Sequence, residues 1–521
     1  MLEQARTRAR RDRRQWPWRL GLVGIALLFS GSAWYQVWSA PPYRYIDEQA
    51  HVGYVLAIQS GHLPTIDTPI DQANGGVALR ARLAIEPARR RDIWVANDPP
   101  LPYVLAAGPA AISRALGWSG GPLIGLRLFN ATCMAAAVVF AARLGRGLAG
   151  GDQRVGLVAG GLLAALPHVG FIGGVGFTDG PALLGALAML DALVSVCRLG
   201  PTRRQVALVG LWCALGASVR PMTAALAAAV AAMAFAVVAW RWVQARRRAQ
   251  PLPATDDRRL SKRAEPVWSA LVLAVPTLAL SGWWYVRNIR LYGDATGSQR
   301  LFDKFLREPS GEQPVAILRH PSVWHQTLRT LFTRRLERPL ASDPGWWWPW
   351  LKWGIVGALA ATAVIVTVDQ VLARRRRRAS TGPGTEPRST VHGWLGAYAT
   401  IVVVVVLIAQ HWSGGGAPHA RYALTALGVL VAAMAFVVVR LGSRWAGVAL
   451  IAVFVAIQAR QVPLADKANS FQPDLLADST LVAPYGPPWW RHGGIAAMAV
   501  GAAVLLVAVA LVPRPGRPVQ D

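Results

Sequence analysis

LGLVGIALLFSGSAWYQVWSAPPY, residues 20–43, contains no Asp, Glu, Lys or Arg. A helix of roughly 20 apolar residues crosses about 30 Å of hydrocarbon, so this stretch has the length of a membrane span. Uncharged runs recur at 155–178, 221–240, 266–286 and 422–439. Only 16% of the 521 residues are charged and 53% are apolar, against about 25% charged in an ordinary soluble domain. The pattern implies an all-α polytopic membrane protein. It excludes a soluble enzyme, a disordered chain and a disulfide scaffold. Cys133, Cys197 and Cys213 lie in apolar stretches without framework spacing and read as small hydrophobes. The net charge of +28 is spread through short clusters, which suits lipid headgroups and not a nucleic-acid partner.

Basic clusters set the expected topology. Seven arginines precede or open the first span, so residues 1–19 read as a cytoplasmic tail and the span as a retained helix. Arg143, Arg146 and Arg154 flank one short loop; Arg198, Arg203 and Arg204 flank another. Further clusters lie at 246–263, 374–378, Arg440 with Arg444, and Arg514 with Arg517. Placing all of them inside requires crossings near 122–142, 155–176, 180–197, 205–219, 221–242, 266–286, 352–373, 392–410, 421–439, 445–459 and 494–512, with a turn at Arg220-Pro221. Residues 99–117 would break the alternation if they crossed. With Pro109 and Arg114 inside, they read as an interfacial helix. The expectation is a plasma-membrane protein of about 12 crossings with both termini cytoplasmic.

The expected core is 20–459, with outer loops 40–121 and 287–351 and cytoplasmic linkers 244–265 and 374–391. Residues 460–521 add an outer loop, a last span and a short tail. Trp346–Trp348, Trp350, Trp489 and Trp490 fall at expected outer interfaces, where indoles anchor.

Polar residues gather at the same expected boundary. Asp47, Glu48 and His51 follow the first span. Asn97 and Asp98 precede the interfacial helix, and Asp179 and Arg220 occupy turns. Arg287 and Asn288 open the second loop, and His419, Arg421 and Tyr422 open a late span. Asp47 and Glu48 with His51 share one face of a helix. That suits a general base or a cation site, or equally an acidic helix N-terminus. Asp98 before Pro99-Pro100 reads as a cap; Asp179 is a cap or a site residue. The arginines suit lipid headgroups or bidentate phosphate binding. Asp191 lies deeper in a span and is expected to pair with an arginine such as Arg198.

The ordered set of motifs resembles the C-type (GT-C) fold of integral-membrane glycosyltransferases, in its protein mannosyltransferase-like and aminoarabinose transferase-like branches. Pro41-Pro42 followed by Asp47-Glu48-x-x-His51-x-x-Tyr54 is similar to the family's first-loop acidic motif. NDPPLPYVLAAGPAAISRALG, RLFNATCMAAAVVFAARLGR, GFTDGPALLGALAML, WWYVRNIRLYGDATG and HARYALTAL are similar to later segments in order. The likeness runs through residues 20–440. Asn97-Asp98 replaces the basic residue that often precedes Pro-Pro in the aminoarabinose branch, a departure from that branch and its metal site.

The resemblance implies a polyprenyl-phosphate sugar donor and transfer on the outer face to a glycan, lipid or protein acceptor. Asp47 is then the candidate base with Glu48 beside it. His51, Asp179, Arg220, Arg287, Asn288, His419, Arg421 and Tyr422 are candidate substrate contacts. Asp47, Glu48 and His51 are the candidate ligands of a divalent cation. A single displacement would invert the anomeric centre. A lipid-linked-sugar flippase, or a non-catalytic envelope-assembly protein, would account equally well for the spans, but a transporter calls for acids at mid-membrane.

Overall fold

The computed structural model describes the chain except for residues 1, 44, 46, 73–90, 119, 248–264, 333–347, 380–389, 417–419, 444, 470–487 and 513–521. Most of the outer-loop tryptophans at 346–350, much of both expected linkers and His419 lie outside the described residues or side chains. Among the described residues there is no strand, only one isolated bridge between Pro69 and Asp92. An apolar chain in hydrocarbon must satisfy its backbone internally, and helices do this within each segment.

The first helix, α1 (Leu2–Ser39), lies against the last, here α19 (Pro488–Leu511). Glycines make the approach possible. A Cβ at Gly31 would sit 2.5 Å from Gly494 O and Met498 N, and one at Gly24 would sit 2.7 Å from Leu505 N. The two backbones touch, the mode in which small residues bring membrane helices together. Next come α2 (Glu48–Gln59), α3 (Leu101–Ala115), α4 (Pro122–Leu148), α5 (Gln153–Ala165), α6 (Pro167–Gly173) and α7 (Asp179–Leu199). The bundle's core runs through α4, α5 and α7, filled by buried Leu, Val and Ala.

The expected crossing at 155–176 is not one straight helix. It is broken into α5 and α6, bent by 65°. Pro167 is the cause: it forces Leu166 out of the helical region, to ψ 120°. The turn at Arg220-Pro221 does separate two helices, α8 (Arg203–Ala217) and α9 (Pro221–Arg247), which pack on each other.

Proline acts again in α10 (Glu265–Thr277). Pro276 has no N–H for the carbonyl of Val272, and that carbonyl instead packs where a Cβ on Gly210 would have to lie. A π turn at Leu278–Gly282 follows, and then α11 (Trp283–Tyr292). The extra residue in this turn rotates the following side chains relative to an unbroken helix.

Short helices α12 (Ser298–Lys304), α13 (Pro314–Leu318) and α14 (Pro321–Thr330) lead to α15 (Trp348–Ala379), α16 (Thr390–Ser413), α17 (Leu424–Leu441) and α18 (Ala446–Asn469). Among the described residues nine helices are long and apolar enough to cross a membrane, ten if the bent pair is one span. That composition makes the chain a multi-pass membrane protein. The expected 12 exceeds this because α8 has 15 residues and the apolar part of α18, Ala446–Val462, is also short. Along α7, roughly 18 Å from Asp179 at 1.5 Å per residue, Asp191 pairs with Arg143 at 2.9 Å. Arg198, the arginine named as an example of such a partner, also acts on Asp191 electrostatically and donates to Gly147 O at 3.2 Å.

Candidate functional site

Five ionisable side chains from distant parts of the chain meet at one end of the bundle. Asp179 is the first residue of α7, where a carboxylate complements the helix dipole. Both its oxygens are taken by Arg220, from Nη1 at 2.8 Å and Nη2 at 3.0 Å, while Arg220 Nε donates to Thr178 Oγ1 at 2.8 Å. This fork-on-fork geometry fixes the guanidinium plane. Burial opposes the charge on Arg220, but Asp179 and Asp98 outweigh it and raise the pKa further.

Arg421 lies in the 3₁₀ turn Ala420–Ala423 that opens α17. Its Nη1 donates to Asp47 Oδ2 at 2.6 Å. The guanidinium carbon is 5.4 Å from the Phe177 ring and 5.5 Å from the Tyr422 ring, within cation–π range. Asp47 occupies the N-cap of α2 but its side chain caps nothing. Its partner is a residue 374 positions away. Helix capping therefore does not account for Asp47.

Asp98 is the residue that sequence reasoning missed. The N-cap of α3 is Pro100, not Asp98. The Asp98 carboxylate faces Arg220 Nε at 3.8 Å, beyond hydrogen-bond length. Burial pushes it up to about 7; Arg220 and Arg421 pull it down, and Asp179 and Asp47 push it up. A side chain only 13% exposed, beside an arginine already claimed by another carboxylate, is poorly compensated.

His51 is nearby but is not a cation. Burial, with Arg220 and Arg421 adding, pushes its imidazole down to about 3. Its Nδ1 is 2.9 Å from the Tyr103 hydroxyl, and Tyr103 stacks on Tyr54 at 3.8 Å.

Glu48, expected beside Asp47, points the other way. Its carboxylate is fully buried and receives Arg127 Nε and Nη2, each at 2.8 Å, and the Gly176 N–H at 2.9 Å. Arg127 also donates to the carbonyls of Val37, Ala40 and Pro41. The pair ties α2 to the end of α1, α4 and the segment before α7, with both side chains closed off from solvent. Arg127 was legible as an arginine one turn inside a span, which demands a carboxylate partner.

Arg287 and Asn288 are likewise not brought to the acid cluster as ligands. Arg287 donates to Pro64 O at 2.8 Å and lies 4.4 Å over the Trp284 ring. Asn288 is wholly buried and donates to Asn97 O at 2.9 Å. The Tyr422 ring lies 4.6 Å from that of His411, tilted by 55°. Asp47 (22% exposed), Arg421 (17%) and Arg220 (16%) remain within reach of solvent, while Asp179 is 1% exposed.

The trio of Asp47, Glu48 and His51 does not fit a cation. Asp47 and Glu48 are held by different arginines, and His51 turns Nδ1 to a tyrosine. Among the described residues no group of three His, Cys, Asp or Glu is arranged to hold a metal.

No known family model matches this chain, and no curated protein does. The fold overlaps loosely with solved structures of an Archaeoglobus fulgidus oligosaccharyltransferase. A crystal structure with Zn and sulfate is 14% identical over 92% of this chain and 61% of that one, at a TM-score of 0.37. The same organism's oligosaccharyltransferase AglB, with an inhibitory peptide and a dolichol-phosphate, is 14% identical over 93% and 64%, at 0.39. The chain thus spans about three fifths of the length of these proteins. Overlap this loose says nothing of what the chain does.

Proposed function

We propose that the chain is a membrane glycosyltransferase of GT-C type that moves a sugar from a polyprenyl-phosphate donor to a cell-envelope glycan, lipid or protein on the outer face. The observation that carries the reading is the pairing of part-exposed Asp47 and Arg421 beside the Asp179–Arg220 fork at one end of the bundle. Transfer needs a base for the acceptor hydroxyl and a cation for the leaving phosphate. Asp47 and Arg421 are adjacent and only part-exposed, and partial burial strengthens the stabilisation such a pair would give.

In this reading the acceptor oxygen attacks the anomeric carbon and gives its proton to Asp47. The bond from that carbon to the phosphate oxygen breaks, and its electron pair stays on the phosphate, which Arg421 and Arg220 receive. One displacement inverts the anomeric centre. Asp179, with both oxygens on Arg220 and 1% exposure, orients that arginine and does not bind sugar hydroxyls. His51, neutral and bonded to Tyr103, shapes the wall.

The test is purified protein in liposomes with radiolabelled polyprenyl-phosphate sugar and an envelope extract as acceptor. Label passing to the acceptor is expected. Asp47→Asn should reduce transfer by at least about a hundredfold, the lower range for loss of a general base. It should leave insertion intact. Label that only crosses the bilayer would make the chain a flippase, and full activity in Asp47→Asn would remove Asp47 from the role.

A further inference from the structure

The sequence WWYVRNIRLYGDATG, residues 283–297, folds around one backbone carbonyl. Asn97 O accepts from Trp284 Nε1 at 3.0 Å and from Asn288 Nδ2 at 2.9 Å, and both donors are wholly buried. The Asn97 side chain donates to Thr296 O at 2.8 Å. Gly297, at φ +64°, lets the turn close on Asn97: a Cβ there would lie 3.0 Å from Asn97 Cβ. Asp294 Oδ1 holds that turn by accepting from Thr296 N at 2.8 Å.

The same helix reaches the other side of the site. Tyr285 OH donates to Ala217 O at 2.8 Å, at the end of α8 and three residues before Arg220. On α12, Lys304 reaches Asp92 at 2.6 Å and Asp67 at 2.9 Å, tying down the segment that leads to Asp98. From α2, Tyr54 OH donates to Asp98 O at 3.1 Å.

We propose that α11 is the positioning element of the site: Trp284 and Asn288 grip the residue before Asp98 while Tyr285 grips the turn before Arg220, which sets the gap between carboxylate and guanidinium and makes Asp98 the group that governs access of an anionic phosphate to Arg220. The motif thus acts through Asp98 and not as a ligand. The inference rests on the phosphate-binding role given to Arg220 above. Its physical content is charge balance. With Asp98 protonated, Asp47 and Asp179 match Arg220 and Arg421. With Asp98 ionised, the cluster carries one surplus negative charge that repels the donor phosphate.

The groups facing Asp98 are Arg220, Arg421, Asp179, Asp47 and the hydroxyls of Tyr54, Tyr103 and Tyr285. Burial holds Asp98 near pH 7, so donor affinity falls as pH rises through that value.

Transfer kinetics and infrared spectroscopy test this together. In the native protein the donor KM should rise about tenfold between about pH 6 and about pH 8, with kcat changing less; in Asp98→Asn it should be flat. Asn288→Leu keeps the size but cannot donate to Asn97 O, so it should displace the KM midpoint in native background and change KM less than about twofold in the Asp98→Asn background. Equal effects in both backgrounds would overturn the proposal. Should Asn288→Leu fail to fold, Tyr285→Phe removes the opposite grip by one atom and carries the same expectation.

The protonated-carboxyl stretch lost in Asp98→Asn supplies a reading independent of transfer. Its titration midpoint should move in Asn288→Leu or Tyr285→Phe. A midpoint that stays fixed overturns the proposal even if transfer is found. If no transfer is found but the midpoint moves, the positioning stands and the glycosyltransferase reading falls.

Discussion

Glu48 and Asp47 are neighbours in sequence and opposites in fate. Glu48 enters a sealed pair with Arg127; Asp47 meets Arg421 at a solvent-reachable edge. Breaking a buried pair leaves an uncompensated charge, which costs about 3–5 kcal/mol, whereas replacing both partners by apolar groups is far milder. Arg127→Met should therefore sharply lower the thermal midpoint of the detergent-solubilised protein, and Arg127→Met with Glu48→Leu should recover much of the loss. A double variant as unstable as the single would contradict the structural role given to Glu48. The acidic motif was legible in the sequence, and so was its place near the end of a span. Which of its two acids faces outward was not, because α2 begins at Glu48 and the helix turn is set by Arg127, 79 residues away. Asp98 was hidden for a related reason. An aspartate before two prolines has the signature of a cap, and only the carbonyls held on either side of it reveal another use.

Among the elements, helices with long uncharged runs could be read directly from composition, including the pair divided at Arg220-Pro221. Their breaks could not. Pro167 and Pro276 stand in otherwise apolar stretches, and one bends a span by 65° while the other precedes a π turn. Whether a proline kinks or is tolerated depends on what receives the freed carbonyl, and Val272 O finds the open face of Gly210. The closure of α1 on α19 was also invisible, since nothing local links residues 31 and 494. At this seam Gly31→Val would drive its side chain into Gly494 O and Met498 N. Overpacking of this kind costs about 1–3 kcal/mol or more. The expected outcome is a lowered melting midpoint and partial loss of α1–α19 contact, read by cross-linking of paired cysteines on the two helices. Unchanged stability would show that the seam is looser than described.

Across the whole molecule, these polar groups divide between the two ends of the bundle. Arg143, Arg154, Arg198 and Arg440 find partners away from the site, among Asp191, Asp369 and the carbonyls of Gly147 and Val512. Asp47, Asp98, Asp179, Arg220 and Arg421 gather at the other end. Alternating spans bring every second helix boundary to one face, so this gathering was predictable from charge pattern alone; the pairings within it were not. The account rests on that convergence and on its exposure to one side of the membrane. Asp47→Cys with Arg421→Cys in an otherwise cysteine-free chain tests it. A short bifunctional thiol cross-linker should join the two cysteines within one chain, since they replace a long arginine and its partner, and a membrane-impermeant thiol reagent added to intact cells should label both. Labelling of one from outside and the other only after permeabilisation, with no cross-link, would contradict the account.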